Sequence, residues 1–324
     1  MKFAFPQFPR QSDWLPIIGF AFAALVVGWI NGFASPDQHL LMVCLNMLLC
    51  LAIASYVTAQ QLFPTACAIL AFSAWVVFLS MTMGHANYVL TSLNLPLWDR
   101  PLAAIDAFFG FDHVAIRNGT GSNEVLSNVL MRAYTKTGWQ LYLAVGLLFV
   151  MRDFKRLTDT FSILTLGVVA TIVISSLMPA VGTFPYFNLS DATAPYLKPV
   201  NTGGYVAHYT ALRDGSMRTF PQGDWQGLVT FPSFHVIFSL VGLYAVAHIR
   251  ALALLSAAFT AVVVVSIVPV GGHYVIDIAG GVALWCAAVW WVERRRASEP
   301  VVTSAIPAAP VQHPDKAAGA FAER

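Results

Sequence analysis

"LALLSAAFTAVVVVSIVPVGGHYVIDIAGGVALWCAAVWWV", residues 252–292, carries a single formal charge, Asp277, between Arg250 and Glu293. A bilayer core needs about 20 consecutive apolar residues, and this stretch holds two such runs, about 251–270 and 274–292. Neither run alternates polar and apolar side chains, and both are too long for strands of a soluble sheet. In lipid only helices and closed barrels satisfy their backbone, so the pair reads as two membrane helices joined by a short link at Gly271-Gly272-His273.

The rest of the 324-residue chain repeats this pattern: 57% of its residues are hydrophobic and 10% are charged. Ordinary soluble domains carry about 25% charged residues. No Asp, Glu, Lys or Arg stands between Asp37 and Asp99, between Asp159 and Asp191, or between Asp224 and Arg250. The spacing predicts an all-α, polytopic transmembrane bundle with spans near about 14–34, 40–58, 63–84, 133–151, 160–179, 231–249, 251–270 and 274–292. The first run follows Lys2 and Arg10 and is long for a signal-peptide core, so it reads as a retained helix. A net charge of +2 and the lack of long basic runs argue against a nucleic-acid partner. Cys44, Cys50, Cys67 and Cys286 all fall within apolar spans and read as small buried hydrophobes.

Basic residues set the expected orientation. Lys2 and Arg10 precede the first span, Arg152, Lys155 and Arg156 follow the fourth, Arg250 follows the sixth, and Arg294, Arg295 and Arg296 follow the eighth. With eight spans all four places fall on the cytoplasmic side. Both termini are then cytoplasmic, in a plasma or bacterial inner membrane, and segments 85–132 and 180–230 lie on the opposite face. Three units are expected: N-terminal spans 1–84, a catalytic membrane domain 85–293 of six helices or fewer, and a basic anchor with a disordered tail, 294–324.

Two motifs carry chemistry. His273 and Asp277 are four apart and would share one face of a helix, with Asp277 fixing the tautomer and raising the basicity of the ring. That is the arrangement of a nucleophilic or general-base histidine, and an ionisable residue inside a membrane is a functional candidate. Gly271 and Gly272 permit close approach beside it. The second motif, Pro232-Ser233-Phe234-His235, opens an apolar run as a helix start, whose free N–H groups suit phosphate, while His235 is placed to donate a proton. His85 and His248 read as packed polar residues. A lipid-binding or transport protein without catalysis, and a metal site on His235, His273 and Asp277, are the competing readings.

"PSFH" followed by "GGHYVID" resembles the second and third motifs of the type 2 phosphatidic acid phosphatase superfamily. The wording is similar to the branch of inositol phosphorylceramide synthases, as are "LPLWDRPLAAIDAFFGFD" (95–112) and "ALRDG" (211–215). The resemblance covers residues 95–290. It implies that His273 attacks phosphorus to form a phosphohistidine, that Asp277 orients it, and that His235 protonates the leaving alcohol. It implies no metal and no cofactor. The partners implied are membrane lipids: a lipid phosphate or pyrophosphate, with a lipid alcohol as acceptor if the reaction is headgroup transfer rather than hydrolysis. The family's third-motif arginine falls on Ile267, and its first motif has no clean counterpart. The expected phosphate-binding set is therefore Arg213, Ser233, Phe234 and Gly272, with Arg218, Lys198 and Lys136 as further cations.

Overall fold

A computed structural model describes residues 11–33, 48, 64–189, 191–197, 202–221, 223 and 225–298. The expected second span apart from residue 48, the cation Lys198 and the expected tail beyond residue 298 lie outside the described residues. Twelve α-helices and no strand occur among the described residues: α1 Gln11–Ile30, α2 Pro64–Thr91, α3 Asp99–Phe108, α4 His113–Gly121, α5 Glu124–Thr135, α6 Thr137–Met151, α7 Phe154–Leu177, α8 Thr183–Tyr186, α9 Thr202–Asp214, α10 Phe234–Val246, α11 Arg250–Gly271 and α12 Val275–Ser298. Among the described residues, four segments are long and apolar enough to cross a membrane, namely Ile69–Thr91, Phe154–Leu177, Arg250–Gly271 and Val275–Ala297. Pro16–Ile30, Thr137–Met151 and Phe234–Val246 are shorter apolar helices. The chain is a multi-pass membrane protein built as a helical bundle.

Helix α10 is the hub. It packs against α6, α7, α11 and α12, and its Val236, Ile237, Val241 and Ala245 are fully buried. Hydrophobicity does not drive helices together in lipid, so close fit and polar contacts must hold them. Both are present. A Cβ on Gly167 of α7 would come within 2.8 Å of Ile237, so glycine is what lets α7 lie against α10. Gln140 of α6 donates to the Ser256 hydroxyl at 2.6 Å and to Thr260 Oγ1 at 2.9 Å, while Ser239 of α10 donates to Gln140 Oε1 at 2.8 Å. One buried polar cluster thus joins α6, α10 and α11.

Of the two segments expected as long connections, 85–132 is largely helical, and 180–230 holds α8 and α9. Asp112 caps α4 by accepting from Val114 N and Ala115 N, and Asn123 caps α5 by accepting from Leu126 N. Free backbone N–H groups at a helix start favour such side chains. The expected span 133–151 is two helices, because the chain breaks at Lys136 and α6 begins at Thr137. At the far end of α12, Arg294 and Arg295 lie over Trp290 and Trp291, and Arg296 pairs with Asp159 of α7 at 3.5 Å.

Candidate active site

The site forms where the start of α10 meets the α11–α12 link. Gly272 ends α11 in the left-handed conformation, φ +68°, which favours glycine. His273 and Tyr274 follow in the link, and α12 begins at Val275. His273 and Asp277 therefore do not share a helix face as their spacing suggested. Asp277 sits in the first turn of α12 and reaches back, its Oδ2 accepting from Tyr274 N at 2.9 Å and lying 3.0 Å from His273 Nδ1. The contact survives because a first-turn carboxylate turns naturally toward the N–H groups and residues preceding it.

A second partner decides the tautomer. His273 Nδ1 is 2.8 Å from the carbonyl oxygen of Thr230, which can only accept. Nδ1 therefore carries the hydrogen, and Nε2 holds the free lone pair. His273 and Asp277 are buried, at 4% and 0% exposure.

His235 is the second residue of α10. Its ring stacks on Tyr134 at 4.0 Å and stands 6.2 Å from the His273 ring, at 75°. Gly271 makes this stacking sterically feasible, since a Cβ there would fall 2.6 Å from the Tyr134 ring. Gly272 is less tight, a Cβ there lying 3.0 Å from the Phe184 ring. The approach that these glycines allow is to aromatic rings of the protein itself. Ser233 is the N-cap residue of α10, yet its hydroxyl makes no cap bond; its backbone N donates to Asp277 O at 3.0 Å. Pro232 precedes it, outside the first helical turn, and follows Phe231 through a cis peptide bond.

Three supports were not anticipated as site residues. Asp106 of α3 accepts from Val275 N at 2.6 Å and Ile276 N at 2.9 Å, capping α12, and also from His113 Nε2 at 2.8 Å. Asp99, one helical heptad earlier, accepts from Tyr274 Oη at 2.9 Å, Val181 N at 3.0 Å and Gly182 N at 2.9 Å. Arg117 of α4 is buried over the Phe184 ring at 4.3 Å and donates to Asp191 Oδ1 at 2.8 Å. Burial pulls its guanidinium below the ordinary value, and the Asp191 carboxylate works against that pull. Asp99 and Asp106 had a readable signal, two acids on the face of α3 that also buries Leu102 and Ala103.

A cavity of about 530 Å³ opens on this site. His235, His273, Phe234, Gly272, Thr230 and Tyr134 line it near the histidines. Arg213, Arg218 and Lys136 are not among its lining residues. Arg213 donates to Leu95 O at 2.8 Å, Arg218 to Leu212 O at 2.7 Å, and Lys136 is exposed between α5 and α6. Tyr209, one turn before Arg213, does reach the cavity. Burial pushes its phenol up to about 12, with Arg213 opposing, so it stays a neutral donor at ordinary pH.

A family model described as the PAP2 superfamily matches residues 100–291, more than half of the chain. The chain belongs to the PAP2 superfamily. No curated protein and no solved structure shows a significant match. PAP2 membership makes this a phosphatase-like membrane enzyme of lipid phosphates. The PAP2 match takes in α4 to α11 and both histidines, and leaves out α1, α2 and Asp99.

Proposed function

We propose that the protein cleaves a phosphoester or pyrophosphate bond of a membrane lipid through a phosphohistidine at His273. The observation that carries this reading is the pair of acceptors at Nδ1, the Thr230 carbonyl and Asp277, which leaves Nε2 as the nucleophilic nitrogen. Nε2 attacks phosphorus and forms the P–N bond while the P–O bond to the lipid breaks. The leaving oxygen takes its proton from His235. The imidazolium formed on His273 keeps Nδ1–H between Thr230 O and Asp277, whose negative charge stabilises it. Neutral His235 then takes a proton from water, whose oxygen attacks phosphorus; the P–N bond breaks and phosphate leaves.

If a lipid alcohol replaces that water, the same steps transfer a phospho-headgroup. The wording of "PSFH" and "GGHYVID" favours keeping this second outcome. Chemistry at the extracytoplasmic face is supported by the basic residues after Met151, at Arg250 and after Val292, at the ends of α6, α10 and α12 remote from the histidines.

The test is release of phosphate by purified protein and by His273→Ala, in chelator, from phosphatidic acid and from a polyprenyl pyrophosphate. Histidine-dependent release supports hydrolysis. No free phosphate, with the phosphorus appearing as an ester of an added lipid alcohol, supports transfer, and activity retained in His273→Ala sinks the mechanism.

A further inference from the structure

The cavity does not end at its polar residues. Away from Thr230 and Gln226 it continues between α2, α6, α7 and α10, and its lining becomes apolar. Met83, Leu79 and Trp75 of α2 line one wall, with Leu164 and Phe161 of α7 among the lining residues opposite. At the end remote from the histidines three rings close together: Phe161 meets Phe72 at 4.2 Å and Trp75 at 4.9 Å, centroid to centroid. Asn87 and Phe72, which both line the cavity, are separated along α2 by a rise of about 22 Å. An apolar arm along α2, joined to a histidine pair, matches an amphiphile with its phosphate at one end.

We infer that this arm binds a hydrocarbon chain of the phosphate-bearing lipid, and that α2, which precedes the family match, is the wall that selects chain length. The inference rests on the proposed function only in that the chain belongs to the lipid whose phosphate meets His273. A chain moving from bilayer to protein gains little from hydrophobicity, because both surroundings are apolar. Selection comes from shape instead. A chain that overruns the Phe72–Trp75–Phe161 floor must displace packed rings, and overpacking is costly.

The experiment is photo-crosslinking of the full chain in lipid bilayers with non-hydrolysable alkyl phosphonates that carry a diazirine at the chain end, in a series of chain lengths. The expected label falls between Phe72 and Met83 of α2. Leu79→Trp removes that label, and the ratio of kcat/KM on a long-chain lipid phosphate to that on a short water-soluble phosphomonoester falls about tenfold or more. Val76→Phe, a smaller intrusion on the same wall, shifts the ratio in the same direction and guards against a misfolded Leu79 variant. Label on the exposed face of α1, at Phe22 or Trp29, with none on α2 overturns the inference. Labelling needs no turnover. Label on α2 without phosphate release therefore upholds the chain site and sinks the phosphatase reading, and release without α2 label does the reverse.

Discussion

The backbone carbonyl of Thr230 lies 2.8 Å from Nδ1 of His273, across 43 residues of sequence. Because a main-chain oxygen holds the ring, orientation and charge are separable. Asp277→Asn removes the charge while Thr230 still accepts from Nδ1–H. The expected result is a fall in kcat of about 10²–10⁴-fold with little change in KM, the pattern of an interaction made in the transition state. A steady-state comparison on one lipid phosphate checks it, and activity within tenfold of the unmodified protein contradicts it.

The stacking of Tyr134 on His235 gives a second prediction. Tyr134→Phe keeps the ring and is expected to retain most of the activity. Tyr134→Ala loses a contact worth about 0.5–1.5 kcal/mol and frees the general acid, so kcat falls about tenfold. Gly271→Ala attacks the same contact from the other side, because the new methyl group would overlap the Tyr134 ring. Its activity should match Tyr134→Ala; full activity in Gly271→Ala would show that the stacking does not matter.

Asp99 and Asp106 hold the link between them. Asp106→Ala strips a cap from α12, a change that typically costs about 0.5–2 kcal/mol, and should lower Tm and kcat together. Tyr274→Phe and Asp99→Ala remove the two ends of one hydrogen bond. A double-mutant cycle on thermal stability should show that the two effects are not additive, with a coupling of about 0.5–3 kcal/mol. Simple additivity would mean that the bond contributes nothing.

Much of the bundle was readable because charge is so costly in lipid: the gaps from Asp159 to Asp191 and from Asp224 to Arg250 contain α7 and α10 almost in full. His273 and Asp277 were readable for the same reason, although their expected geometry was not the observed one. Spacing of four suggested a shared helix face, although the Gly271-Gly272 pair already marked the link in which His273 lies. Helices α3, α4 and α5 passed for connections because each is short and none is a continuous apolar run; Asp99, Asp106, His113 and Arg117 read as solvated charges, whereas the fold turns them inward. Arg117 illustrates the limit of sequence reading. A cation buried over Phe184 and one solvated in a loop look alike until the fold brings Asp191 and Pro269 to its side, and Pro269 is 152 residues away. Arg213 drew attention through "LRDG"; its Nη2 donates to Leu95 O, and the residue does not line the cavity.

The cluster around Gln140 separates stability from chemistry. Gln140→Leu removes its bonds to Ser239, Ser256 and Thr260, and hydrogen bonds between membrane helices are worth about 0.6 kcal/mol each on average. The variant should lose Tm while its kcat stays near that of the unmodified protein. A large loss of kcat at full stability would place Gln140 in the reaction.

The most direct test of the central claim is to look for the covalent intermediate. A lipid pyrophosphate labelled at its terminal phosphorus, whose phosphate leaving group needs little help from a general acid, is mixed with His235→Ala, in which loss of the general base should slow hydrolysis of the intermediate more than its formation. The protein is then denatured at neutral or alkaline pH and digested. The account predicts one acid-labile phosphopeptide, containing His273, that disappears in the His235→Ala/His273→Ala double variant. Turnover by the unmodified protein with no such phosphopeptide, or a phosphopeptide that persists without His273, would contradict it.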